Sequence, residues 1–149
     1  YDNIYLYMAG KDINLKNKKL SNIYKNYNIQ EKVIFLDEQK NLLEFYNGID
    51  LLTLTSHSES FPNVVAESML CSTPVFSSDA GCAKKIIYNY GFLTYKNDIT
   101  SIHKGLKKTF NQFSNKTKWQ FLKKNSQAYI KKNFSVESMA DAYLKHWID

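Results

Sequence analysis

Apolar and polar positions along the chain alternate between two spacings. Short β-rich runs occur at residues 4–8, 33–36, 49–55, 75–78 and 91–94. Between them, apolar residues return at helical spacing: Leu20, Ile23, Tyr24 and Tyr27, then Leu42, Leu43, Phe45 and Tyr46, then residues 62–71 and 81–88. Strands that alternate with helices over these lengths pair in parallel through right-handed crossovers. The pattern therefore predicts an α/β fold: a Rossmann-like, doubly wound parallel sheet of about five strands, with helices on both faces. From Asp98, a predicted N-cap, the pattern becomes wholly helical. One helix carries Ile99, Ile102, Leu106 and Phe110, a second Trp119, Phe121, Leu122 and Tyr129, and a third Met139, Ala142, Tyr143 and Trp147. With no repeat, low-complexity tract or linker, residues 1–149 read as one domain.

Composition narrows the class. At 44% hydrophobic and 15% aromatic residues, the chain has the make-up of a globular domain and excludes disorder. No apolar run approaches the roughly 18 residues of a membrane span, and the first residues lack the charged start and apolar centre of a signal peptide. A cytoplasmic location is the expectation, with the cytoplasmic face of a membrane as its variant. Cys71 and Cys82 have neither metal-ligand spacing nor a dense disulfide pattern, and both read as free thiols used in packing. The net charge of +6 comes from lysine alone, for the chain contains no arginine. That removes the side chain best suited to bidentate phosphate recognition and argues against a nucleic-acid partner. His57, His103 and His146 show no partner spacing that suggests a metal, so no metal site is expected.

One stretch concentrates the candidate chemistry, residues 55–75. The β-type run at 49–55 enters a short polar loop, and Pro62 stands where a helix can begin, since proline's missing N–H costs nothing in the first turn. Such a loop lies at the carboxyl end of a parallel strand, where ligands bind in open α/β sheets. The helix behind it offers unpaired N–H groups and a positive dipole end, which suit an anion. Glu59 in the loop and Glu67, about one turn inside the helix, flank that point. Taken alone, Glu59 reads as a solvated loop acid and Glu67 as a charge on an exposed helix face. Ser58 and Ser60 read as loop or capping hydroxyls.

The ordered set Ser56, Glu59, Phe61, Pro62, Glu67, Met69 and Thr73-Pro74-Val75 resembles the C-terminal, donor-binding domain of the retaining glycosyltransferases of family 4, which have the GT-B fold. The resemblance implies that Glu59 is the catalytic residue, facing the sugar and diphosphate at the reaction centre, and that Glu67 binds the ribose hydroxyls of the nucleotide. It assigns the backbone of Phe61, Asn63 and Val64, with Ser60 and Pro62 beside them, to the phosphate and sugar. Leu36 and Asp37 correspond to the loop that touches the nucleobase. Lys84 and Lys85, following Gly81 at the next loop, are candidates for contact with the diphosphate. Family members open this domain with one further strand bearing an arginine and a lysine, and carry an N-terminal acceptor domain. The resemblance implies that the present chain lacks both.

The implied function is retaining transfer of a sugar from a nucleotide diphosphate sugar to a glycan or lipid-linked acceptor, in surface polysaccharide biosynthesis, without a cofactor or metal. The acceptor would reach the enzyme through the missing domain, and peripheral membrane association of the full protein is a further expectation. A sugar-nucleotide epimerase of the same fold and a non-catalytic nucleotide-binding module are the alternatives. Four positions depart from the family pattern: Asp37 and Ser72 stand where glycine is usual, and Cys82 and Lys85 where glycine and glutamate are common.

Overall fold

The computed structural model describes residues 3–95 and 98–148, with the side chain of Ile148 left aside. The chain divides into two compact units, Tyr1–Phe45 and Tyr46–Asp149.

In the first unit, strand β1 (Leu6–Ala9) pairs in parallel with β2 (Val33–Asp37), with Leu6 opposite Val33 and Met8 opposite Phe35. Helix α1 (Lys18–Asn26) connects them, and a single 3-10 turn (Gln30–Lys32) precedes β2. Asn17 caps α1 by accepting from the Leu20 N–H at 3.2 Å. Tyr24 on α1 packs its ring 5.4 Å from that of Phe35. The two strands close at their carboxyl ends around Asp37: its N–H donates to Ile13 and its carbonyl accepts from Gly10, both at 2.9 Å.

Helix α2 (Leu42–Asn47) contains the boundary between the units. The second unit holds a three-stranded parallel sheet in the order β3 (Leu52–Leu54), β4 (Val75–Ser78), β5 (Phe92–Thr94). All five strands of the expected fold are thus present and every pairing is parallel, with hydrogen bonding divided between a two-stranded and a three-stranded sheet. The run at 49–55 forms a shorter strand than its composition suggests, because only Leu52, Thr53 and Leu54 meet partners, Val75, Phe76 and Ser77.

Central strand β4 is buried at every residue, and its two faces are covered by different helices. Val75 joins Val65 and Met69 of α3 (Asn63–Leu70), Ile86 and Ile87 of α4 (Ala83–Ile87) and Ile130 of α6 (Lys116–Asn133) in one core, against which Leu52, Leu54 and Leu93 pack. Phe76 points the other way, toward α5 (Ile99–Phe113). There a β carbon on Gly105 would stand 2.6 Å from the Phe76 ring, so helix and strand meet at this distance only because position 105 has no side chain. Phe92, the register partner of Phe76, stacks on Trp119 at 6.1 Å. Helices therefore cover both faces of this sheet. Asp98 caps α5 as expected, accepting from the Ser101 N–H at 2.8 Å. Terminal helix α7 (Val136–Ile148) leaves Val136, Met139, Tyr143 and Trp147 exposed, so its periodic apolar residues form a surface stripe. Among the described residues, no helix is long and apolar enough to cross a membrane.

Candidate functional site

The loop between β3 and α3 carries Glu59 and delivers the chain to the N-terminus of α3. Pro62 occupies the capping position one residue earlier than a first-turn proline, and the helix begins at Asn63. The Pro62 carbonyl accepts from the Val65 N–H at 3.0 Å. No side chain caps this end. The N–H groups of Asn63 and Val64 consequently open the helix without partners among the described residues, at the positive end of its dipole. Ser60 contributes its backbone to the loop and its side chain caps nothing there.

That loop is held from beneath by the connection between β4 and α4. Ser78, at the end of β4, donates its hydroxyl to the Ser56 carbonyl at 2.7 Å. Cys82 donates its N–H to the Ser60 carbonyl at 3.2 Å. Between these two ties, Gly81 lies directly on the Glu59–Ser60 peptide in the left-handed backbone region, at φ +56°. A β carbon there would fall 2.0 Å from the Glu59 carbonyl oxygen and 2.7 Å from that of Ser60. Glycine is required twice, by the φ angle and by the close approach. On the other side, the Phe61 ring packs 5.9 Å from Phe134, at the end of α6. Half-buried Glu59 therefore stands on a loop anchored at Ser56, at its own peptide, at Ser60 and at Phe61.

Glu67 departs from its expected placement on an exposed helix face. It is half-buried, and its Oε2 accepts from the hydroxyl of Tyr46 at 2.8 Å. The cause is Tyr46, which is only 2% exposed and covers this side of α3. Burial, followed by the Glu67 carboxylate, pushes the Tyr46 hydroxyl well above the ordinary tyrosine value of 10.0. Burial and then Glu67 also raise the thiol of Cys71, which is partly buried just past the end of α3. Cys82, expected in packing, is exposed, because it stands in the loop and contributes its backbone.

Lys84 and Lys85 are exposed on α4, directly after the loop that supports Glu59. The Lys84 ammonium sits 5.4 Å from the ring centroid of Tyr95, just beyond β5. The Lys85 carbonyl accepts from the Tyr129 hydroxyl at 3.0 Å, while its side chain faces solvent. Leu36 and Asp37 belong to the first unit and the other predicted residues to the second. Asp37 adopts φ 55°, and Ser72 φ 62°. Both departures from the usual glycine thus fall where the backbone is left-handed, which is why glycine suits these positions. Asp37 meets the requirement with local bonds, accepting from the Asn14 side chain at 2.9 Å and from the Glu38 N–H at 3.0 Å.

The structure therefore brings Glu59, Ser60, Phe61, Pro62, Asn63, Val64 and Glu67 together on one loop and the helix it opens. Tyr46 and Gly81 join them, and neither was assigned a role at this site from the sequence. Gly81 was legible as a turn, yet nothing in the chain order shows which peptide it supports. A groove of about 350 Å³ is lined by Leu70, Ile130, Lys131, Phe134, Ser135 and Glu137 and holds none of the predicted residues. Among the described residues, no group of three His, Cys, Asp or Glu could hold a metal ion.

With this geometry in place, comparison with known proteins gives a consistent result. The family model described as "Glycosyl transferases group 1" matches residues 1–128. The chain is similar to the N-acetyl-alpha-D-glucosaminyl L-malate synthase of Bacillus anthracis, at 33% identity over 82 residues, 54% of this chain and 22% of that protein. It is also similar to the capsular polysaccharide biosynthesis glycosyltransferase CapM of Staphylococcus aureus, at 23% identity over 121 residues, 68% of this chain and 32% of that protein. The matches thus span about a fifth to a third of these relatives' length. Among solved structures, HepE of Anabaena in complex with UDP and glucose superposes with a TM-score of 0.83 at 22% identity. That match covers 100% of this chain and 41% of HepE, and at such identity the likeness is one of fold.

Proposed function

Because the chain belongs to the glycosyl transferases group 1, we propose that it is the donor-binding domain of an enzyme that transfers a sugar, with retention, from a nucleoside diphosphate sugar to a glycan or lipid-linked acceptor. The observation that carries this reading is the anchored Glu59 loop leading into the open N-terminus of α3, with Glu67 one turn inside. In such a transfer the leaving diphosphate gains negative charge while the sugar passes through an oxocarbenium-like state. The N–H groups of Asn63 and Val64 and the dipole of α3 face the first change, and need no reorganisation as the charge develops. The Glu59 carboxylate faces the second, holding donor hydroxyls and countering positive charge at the anomeric carbon. Glu67 takes the ribose hydroxyls. Leu36 and Asp37 are the residues assigned to the nucleobase, and Lys84 and Lys85 add positive charge toward the diphosphate. No step in this scheme calls for a metal or an organic cofactor.

HepE, solved with UDP and glucose, supports a nucleoside diphosphate and a sugar as the ligand class. CapM, named for capsular polysaccharide biosynthesis, supports a surface glycan as the product. The transfer requires an acceptor site outside the stretch these relatives share with the chain, in the full-length protein at the cytoplasmic face of a membrane.

The test is an assay of the full-length protein against labelled UDP-, GDP- and ADP-sugars with membrane lipid or glycan acceptors. Transfer is expected from one donor class, with the anomeric configuration conserved in the product by NMR. Glu59→Gln should lower kcat by at least about a hundredfold, in line with loss of one preorganised electrostatic contact to the transition state. Glu67→Ala should act mainly on donor KM. Interconversion of free donor sugars with no transfer would favour the epimerase, and binding without turnover the non-catalytic module.

A further inference from the structure

Tyr46 occupies a position that the proposed chemistry does not yet use. Its ring is buried, at 2% exposure, in the second unit, and its hydroxyl reaches the Oε2 atom of Glu67. Its backbone is fixed as well. The Tyr46 carbonyl accepts from the hydroxyl of Thr73 at 2.7 Å. Thr73 is itself only 3% exposed and is tied twice to α3: its N–H donates to the Ser68 carbonyl at 2.9 Å, and its carbonyl accepts from the Ser68 hydroxyl at 3.2 Å. Ser68 is the helical neighbour of Glu67. A closed circuit of hydrogen bonds thus runs from Glu67 through Tyr46 and Thr73 back to α3.

We propose that Tyr46 is the positioning residue for Glu67: by holding Oε2 from a rigid, buried ring it fixes the rotation of the carboxylate and leaves Oε1 to receive the vicinal hydroxyls of a ribose. The inference rests on the donor-site reading given above. A glutamate side chain free at the surface samples many rotamers and pays for their loss when a ligand orders it. A carboxylate already oriented by a donor loses little, and its remaining oxygen meets a diol in one geometry. Among the described residues Oε1 has no hydrogen-bond partner. The direction of the bond is also settled by the surroundings. Burial and then the neighbouring carboxylate hold the proton on the tyrosine, so the Tyr46 hydroxyl is the donor.

This arrangement makes Tyr46 a determinant of selectivity for ribose over nucleotides lacking the diol, through a residue that touches no ligand itself. The experiment measures binding of UDP, GDP and ADP to the full-length protein by calorimetry, then repeats the best of them as its 2′,3′-dideoxy form. Tyr46→Phe keeps the ring and removes the hydroxyl. It is expected to weaken binding of the ribose nucleotide about five- to tenfold, less than the more than roughly tenfold cost of losing a hydrogen bond to a charged group outright because the Glu67 carboxylate itself remains, and to leave the dideoxy nucleotide unchanged. Glu67→Ala should lose the same ribose-dependent increment, and the double variant should lose no more than Glu67→Ala alone. An equal loss for both nucleotides, or no loss for either, would overturn the positioning role while the donor-site reading stood. If the wild-type protein binds none of the three diphosphates, or Glu67→Ala leaves ribose binding intact, the donor-site reading fails and takes the positioning role with it. Melting temperatures recorded for each variant exclude global unfolding as the source of a selective change.

Discussion

Glu67 shows how one side chain can act on several neighbours at once. Its carboxylate accepts from Tyr46 and raises the thiol of Cys71, so the charge at this position is reported by a group that a chemist can titrate. Iodoacetamide should modify exposed Cys82 well before Cys71. The rate at Cys71 should rise with a pH midpoint above the ordinary thiol value of 9.0, since only the thiolate reacts and burial with Glu67 disfavours it. Mass spectrometry after timed alkylation measures both. Glu67→Gln should bring the Cys71 midpoint down, and an unmoved midpoint would mean that burial alone sets it. The sequence offered no route to this coupling. Glu67 is the one charged residue of α3 and reads as solvated, whereas what covers it comes from 21 residues earlier in the chain.

At the scale of elements, periodicity carried most of the information. The five strands, the helix after Pro62 and the Asp98 cap of α5 follow from local preferences, which act over a few residues and are written in the chain order. What escaped depends on two distant segments meeting. The length of β3 is set by the partners β4 presents, and the exposure of Glu67 on α3 by Tyr46. The support of the Glu59 loop depends on Gly81 arriving under it, 22 residues further on. Asp37 and Ser72 sit between these cases: the left-handed turns were foreshadowed by glycine being usual there, and the structure supplies the φ angles. Helix α3 should be sensitive to its buried face. Met69 has no exposure and lies in the core with Val75 and Ile130, so Met69→Ala should destabilise the second unit by about 2–5 kcal/mol. A urea midpoint within error of wild type would show that the core under α3 collapses around the gap.

Over the whole molecule, the raised groups share one sign. Burial leads the upward shift at Tyr46, Cys71 and Tyr129, with Glu67 adding to the first two and Tyr88 and Tyr90 to the third. In each case the folded state keeps its proton longer than the unfolded state. Stability from these groups is therefore complete below their ordinary values of 9.0 and 10.0 and falls as the pH rises through them, because the unfolded chain releases protons first. Urea unfolding at pH 7.5 and pH 10.5 should show a lower midpoint at the higher pH, and a shallower fall in Tyr46→Phe, which lacks one of the three groups. All three lie in the second unit, which also contains Gly81. In genetic terms that glycine has no near neighbour. Every missense change of a glycine codon by a single base adds at least a β carbon, and here the first carbon added already collides with the peptide that carries Glu59. Mutational drift can exchange lysines across the surface, while at this position the smallest available step already forces the loop peptide to move.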